Sequence, residues 1–173
     1  TGKAVTQFAR GDEVWARSDN GPGKCYAEYV ALNPATVAHK PAELSHTEAA
    51  SMPLAAQTCL IGLRDCGQLK AGDKLMIVGA SGGVGVFAIQ VAKIIGAHVT
   101  AVCSGRNADT VRELGADRVI DYTCEDVFTA GDCYDVIYDA VGSQDYASVN
   151  TYLADGGVYM TLVPVAGIDF FLP

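Results

Sequence analysis

Two patterns of hydrophobic and polar positions meet near residue 60. Upstream, short runs follow one another: GDEVWA (11–16), CYAEYVALN (25–33) and TVAHKP (36–41), separated by Asp19-Asn20-Gly21-Pro22-Gly23 and by Pro34. Tyr26, Glu28 and Val30 alternate with Ala27, Tyr29 and Ala31, a period of two that predicts short antiparallel strands joined by Gly/Pro turns. The period then changes. Ser45-His46-Thr47-Glu48 reads as a capping box, in which the Ser45 hydroxyl caps the Glu48 amide and Glu48 reaches back. A helix is predicted through Met52, interrupted or restarted at Pro53, with a second running to about Cys66 and Gly67 as its stop.

Downstream the pattern is that of buried strands alternating with helices. KLMIVGA (74–80) is an apolar strand that runs straight into glycines. Val84, Phe87, Ala88, Val91, Ala92 and Ile95 then recur at helical spacing and form one apolar stripe, closed by Gly96. HVTAVC (98–103), RVID (118–121), DVIYDAV (135–141) and GVYMTLV (157–163) supply four more strands. Helices are predicted over 107–114, stopped by Gly115, and over 145–153, with Asp155-Gly156-Gly157 turning the chain into the last strand. Only the link from the third to the fourth strand lacks a long helix. Parallel neighbours need a crossover that a helix supplies, and strands apolar on both faces need cover on both sides. The predicted class is α/β: an open, doubly wound parallel sheet preceded by a β-rich segment.

Composition narrows the function classes. Half of the 173 residues are hydrophobic and 18% are charged, which excludes a disordered chain. Twelve Lys and Arg stand against 20 Asp and Glu, a formal charge of −8 with no basic stripe, so nucleic acid is not an expected partner. No apolar run approaches the ~18 residues of a membrane span. The opening TGKAVTQFARGDEVW lacks the basic-then-apolar order of a secretory signal, so the expected location is cytoplasmic, with an organelle left open. Cysteines at 25, 59, 66, 103, 124 and 133 form no C-x2-C pair and no zinc spacing with His39, His46 or His98. They are expected to be buried thiols of a reducing compartment, and no metal is expected.

The chemistry lies in Gly79-Ala80-Ser81-Gly82-Gly83-Val84-Gly85, between the first long strand and its helix. Without a Cβ, Gly82 lets backbone approach a pyrophosphate, and Gly85 lets the helix pack on the strand. Amides near Gly83 and Val84 would face the anion at the positive helix end. A strand–loop–helix of this kind predicts dinucleotide binding. An NAD site would place an acid at the end of the next strand, but Val102-Cys103-Ser104-Gly105-Arg106 offers none before Asp109. Ser104 and Arg106 suit a 2′-phosphate instead, which favours NADPH. No G-x-x-x-x-G-K-[ST], Tyr-x-x-x-Lys or H-E-x-x-H is present.

GDEVWA, AEYVAL, PAELSHTEAASMPLAAQT, LKAGDKLMIVGASGGVG, AHVTAVCS, LGADRVIDY and GGVYMTLVP, in that order, resemble the medium-chain dehydrogenase/reductase superfamily. Within it they are most similar to the zinc-free quinone oxidoreductase and enoyl-reductase-like branch. The resemblance implies a partial GroES-like catalytic domain over residues 1–62 with connecting helices. It also implies an NADP-binding Rossmann domain over 63–173 without its last strand, in a piece of a longer enzyme. Such an enzyme would pass hydride from NADPH to a small quinone or α,β-unsaturated carbonyl substrate, without zinc, and homodimers are common among such proteins. By resemblance, Thr58 lies beside the nicotinamide, Ser81, Gly83 and Val84 meet the pyrophosphate, and Ser104, Arg106 and Tyr122 meet the adenosine 2′-phosphate end. Val141, Leu162 and Val163 fall at the carboxyl edge of the sheet, where core packing is the competing explanation. Zinc alcohol dehydrogenases place a ligand cysteine near Pro53-Leu54, where this chain offers Leu54. No catalytic acid is assigned, because the resemblance implies that the donors for a developing oxyanion lie in a part expected to precede this chain. An enoyl-reductase module of a larger synthase, an NADPH-binding scaffold with little turnover, and a zinc-dependent alcohol dehydrogenase are the alternatives.

Overall fold

A computed structural model describes residues 2–18 and 25–163, and the turn expected at 19–23 lies outside them. The chain divides into two compact units, Thr1–Gln57 and Thr58–Pro173. In the first, β1 (Val14–Ala16) pairs antiparallel with β2 (Val37–His39), Trp15 opposite Ala38. The strand expected around 26–31 does not form. Tyr26, Tyr29 and Val30 are exposed, so the alternation there has no apolar face to pack against and no ladder partner among the described residues. Below the pair, the side chain of Lys40 is almost fully buried and its ammonium meets Glu13 at 3.1 Å and the carbonyl of Pro41 at 3.0 Å.

The capping box is present at the start of α1 (His46–Leu60): Glu48 N–H donates to Ser45 Oγ at 3.3 Å, and Ser45 N–H to Glu48 Oε2 at 2.8 Å. Pro53 does not interrupt the helix, which runs through it. The helix then widens into a π-helical turn, Ile61–Cys66, that closes with Gly67 N–H on the Gly62 carbonyl. Gly67 caps this turn, as expected from sequence, but with a φ of −78°; the left-handed residue is Gln68 at φ +47°. A Cβ on Gly67 would instead lie 2.8 Å from Met160 Cε and 3.2 Å from the Gly62 carbonyl oxygen, so close packing explains the glycine.

The second unit is built on a five-stranded parallel sheet in the order β5-β4-β3-β6-β7. Its strands are β3 (Lys74–Val78), β4 (His98–Cys103), β5 (Arg118–Asp121), β6 (Tyr134–Asp139) and β7 (Leu153–Thr161). Alternation sends Leu75, Ile77, Val99 and Ala101 to one face, where α2 (Gly85–Ile95) and Leu63 cover them. Met76, Val78, Val102 and Ile137 go to the other, with Ile120 and Val149. The predicted stripe of α2 packs into the first cluster together with Ile89, and Gly96 ends the helix in the left-handed conformation. After β4, a 3-10 turn at Gly105–Asn107 leads into α3 (Ala108–Glu113). The link between β5 and β6 is a loop, whose Phe128 stacks on Tyr152 with centroids 4.6 Å apart and covers the second face in place of a helix.

Three further expectations change. The fourth strand of the sheet stops at Asp139 rather than residue 141. The helix expected over 145–153 contracts to α4 (Tyr146–Val149) and a 3-10 turn, because β7 claims Leu153 onward. Asp155-Gly156-Gly157 lies inside β7 as an irregularity in its pairing with β6 instead of preceding it.

At the amino edge of this sheet, carboxylates cap strand starts. Asp135 accepts from Lys74 N–H at 2.8 Å, and Asp117 from Val99 N–H at 2.7 Å while also pairing with Lys93 at 2.8 Å. Burial pushes the Asp117 carboxyl up, but the Lys93 ammonium and the Val99 N–H outweigh it and hold it below its ordinary value. A lowered folded-state pKa adds stability that is present above the ordinary carboxylate range and lost as pH falls through the folded value. Asp117→Ala should therefore cost about 1–2 kcal/mol at neutral pH. In urea melts, the gap from the unaltered chain should close as pH drops below about 4.

Candidate functional site

β3 lies between β4 and β6, and the chain leaves β3 and β6 toward opposite sides of the sheet, which opens a crevice at their carboxyl ends. The glycine loop fills the mouth of that crevice. Gly79 turns the chain at φ +80°, and its N–H and that of Ala80 donate to the Val102 carbonyl at 3.1 and 3.0 Å, fastening the loop to the end of β4. A Cβ on Gly85 would lie 2.4 Å from the Gly79 carbonyl oxygen and 2.6 Å from the Ala80 carbonyl carbon, so only glycine lets α2 start there. The N–H groups of Ser81, Gly83 and Val84 have no acceptor among the described residues, and a Cβ on Gly83 would meet nothing within 4 Å. Three unpaired donors at the start of an 11-residue helix, beside an open approach, fit a diphosphate.

Beside the loop, Asn107 Nδ2 donates to Ser81 Oγ at 3.0 Å and to Ser104 Oγ at 3.3 Å. Two serines 23 positions apart in the sequence are thereby brought together, each keeping its own O–H to donate. Arg106 is exposed and makes no ion pair with any described residue, and Tyr122 is exposed at the end of β5. No acid follows β4 along the chain before Asp109, but one reaches this corner in space. Asp121, paired with Cys103 across β5 and β4, brings its carboxylate against Gly105. Hydrogen bonds from the Thr123 hydroxyl and N–H hold that carboxyl below its usual range.

On the other side of the crevice, Asp139 is fully buried and organises the turn after β6. Its Oδ1 accepts from Val141 N–H at 2.9 Å and Gly142 N–H at 2.8 Å, and its Oδ2 from Gln144 N–H at 2.9 Å. Tyr159 O–H, which donates to the Gln144 carbonyl at 2.8 Å, closes the turn. The turn reaches the glycine loop, since a Cβ on Gly79 would stand 2.4 Å from Val141 Cγ2, and one on Gly142 2.6 Å from Val163 Cβ. Val141, Leu162 and Val163 are 55, 38 and 41% exposed, so they form a rim rather than core. Thr58 is half-buried on α1 and is not among the side chains these bonds tie to the loop.

Asn107, Asp121, Asp139 and Tyr159 are absent from the sequence-derived set. The one readable signal was an acid closing an otherwise apolar strand, in RVID and in VIYD. The cysteines divide: Cys59 and Cys103 are buried thiols, and burial pushes Cys59 up to about 11, whereas Cys25, Cys66, Cys124 and Cys133 are exposed. A recess of about 290 Å³ at the amino edge, lined by Lys74, His98, Arg118 and Tyr134, lies away from the crevice. Its acids Asp117 and Asp132 are already paired with Lys93 and Arg118. No group of three or more His, Cys, Asp or Glu among the described residues is placed to hold a metal. No described helix is long and apolar enough to cross a membrane.

The family described as zinc-binding dehydrogenase matches residues 83–166. The mouse protein named NAD(P)H oxidoreductase RTN4IP1, mitochondrial, is 43% identical over 171 residues, covering 94% of this chain and 43% of that protein. The Arabidopsis thaliana NADPH-dependent alkenal/one oxidoreductase, chloroplastic, is 39% identical over 154 residues, 84% of this chain and 40% of its own length. Among solved structures, a quinone oxidoreductase from Pseudomonas syringae superposes with a TM-score of 0.83 at 32% identity, covering 95% of this chain and 54% of that one. The chain thus spans about half the length of the proteins it matches.

The Asp139 network makes a direct prediction. Asp139→Ala strips three backbone donors of their acceptor in a buried place and should cost about 3 kcal/mol. Amide exchange should accelerate first at Val141, Gly142 and Gln144, which hydrogen-exchange mass spectrometry or NMR would read.

Proposed function

Because the chain belongs to the medium-chain dehydrogenase/reductase superfamily, in its quinone-oxidoreductase and enoyl-reductase-like branch, we propose that it is the cofactor-binding half of a reductase. Its hydride donor would be NADPH, and its substrate a quinone or an α,β-unsaturated carbonyl compound. The observation that carries this reading is the trio of unpaired N–H groups at Ser81, Gly83 and Val84, opening on the free approach beside Gly83. Residues 63–173 would form the cofactor domain and residues 1–62 part of the substrate side.

Bound in the crevice, a reduced nicotinamide supplies a hydride, and the chain supplies position and charge. The loop amides and the helix end hold the diphosphate. Ser81 and Ser104, oriented by Asn107, offer hydroxyl donors along the route to Arg106, whose guanidinium suits a 2′-phosphate. Val141, held by Asp139, borders the other end together with Leu162 and Val163, and Thr58 would orient the ring. The names of the relatives support both the donor and the acceptor class: NAD(P)H in one, NADPH with an alkenal or enone in another.

Zinc does not fit. The family description names it, but the described residues offer no cluster of donors, and Leu54 stands where a thiolate would be required. Relatives named as mitochondrial and chloroplastic support an organelle as its location.

Fluorescence titration with NADPH and NADH, followed by consumption assays on quinones and enones with the longer protein, tests the proposal. Saturable binding and turnover are expected. Arg106→Ala should weaken NADPH binding by about 1.5–3 kcal/mol and leave NADH nearly unchanged. Equal loss of both would remove Arg106 from the phosphate end. Binding without turnover of any acceptor would turn the assignment toward a scaffold.

A further inference from the structure

The corner that would receive the 2′-phosphate contains a carboxylate that linear reading does not place there. Parallel pairing sets Cys103 beside Asp121, so the chain leaving β4 and the chain leaving β5 run out of the sheet side by side. Asp121 then turns its carboxylate onto Gly105, where Oδ2 would stand 2.2 Å from a Cβ, so a side chain at 105 and this carboxylate exclude each other. Its hydrogen-bonding capacity is committed locally. Oδ1 takes the Thr123 N–H at 3.0 Å and hydroxyl at 2.7 Å, and the Gly105 N–H and the Cys124 thiol also donate to the group. A carboxylate so occupied has little left to accept from a ribose hydroxyl, and it acts on a neighbour through its charge.

The surrounding charges do not cancel it. Asp109 and Arg112 neutralise each other at 2.9 Å, and Glu125, which accepts from Asp121 N–H at 3.2 Å, adds a second negative group. Arg106 makes no ion pair among the described residues and is the cation on hand for an incoming phosphate.

We propose that Asp121 is a selectivity-determining residue: its fixed charge, pressed against Gly105, opposes the 2′-phosphate that Arg106 attracts. The site therefore accepts NADPH and NADH with only a narrow preference for the former. This rests on the dinucleotide reading above and adds to it the reason the preference is small. A 2′-phosphate carries about two negative charges, so removing one nearby carboxylate favours it selectively, while NADH, lacking that group, gains little.

The test is the ratio of Kd for NADH to Kd for NADPH, measured by nucleotide fluorescence on the unaltered chain and on D121N, D121S and D121E. Two variants remove the charge, so one remains informative if the other fails to fold, and Asp121→Glu keeps the charge. The expected result is a ratio raised about three- to tenfold in the charge-removing variants, most strongly at low salt, and left within about twofold in D121E. If D121N and D121S weaken both nucleotides equally, Asp121 is a brace for the turn and the proposal is overturned. It is overturned as well if D121E raises the ratio as much as D121N does. If the unaltered chain saturates with neither nucleotide, the dinucleotide reading itself fails and takes this proposal with it.

Discussion

The contact on which the site depends is the one between Gly85 and the peptide that follows β3. With the Gly85 Cβ position only 2.4 Å from the Gly79 carbonyl oxygen, the first turn of α2 can begin there only because that atom is missing. The approach fixes where the helix axis points and which backbone donors stay outside it. Two bonds from Gly79 and Ala80 to the Val102 carbonyl lock the loop to β4, so the donors are set in place before any ligand arrives. Preorganised dipoles need not be turned toward an anion when it binds, and this makes a short stretch of backbone an effective anion site.

Two aspartates that close strands of one sheet serve opposite purposes. Asp139 is fully buried and answered by three N–H groups, so its charge is spread over the turn it holds and is hidden from a ligand. Its effect is mechanical: it keeps Val141 against the glycine loop and defines the far rim of the crevice. Asp121 is only partly buried, and the bonds that fill its oxygens come from Thr123 and the neighbouring turn, so its field reaches solvent at the adenosine end. One residue type at the same position on two strands gives a brace in one case and an electrostatic bias in the other, and burial makes the difference.

Much of the crevice was legible along the chain. The strand–glycine–helix sequence, the stripe of α2, Gly96 as its stop and the Ser45–Glu48 box all depend on residues close to one another in the chain, and all formed. Failures came where a pattern needed a partner it did not have. Alternation around Tyr26–Val30 made no strand because no apolar face received it, and the helix predicted over 145–153 yielded to β7 because the ladder with β6 is the stronger claim on Leu153 and its successors. The link between β5 and β6 has no helix, as its sequence predicts, whereas the Phe128–Tyr152 stack that takes its place joins two separate segments and leaves no local signal.

The fold class and the place of the glycine loop follow from periodicity and from the absence of a Cβ, which are local properties. Which side chains surround that loop depends on contacts between distant segments. Asn107 joins Ser81 to Ser104, and Asp121 meets Gly105, through the parallel register of β3, β4 and β5. Strand order and register come from the burial of two whole sheet faces, a sum over many distant residues that no short window of sequence contains.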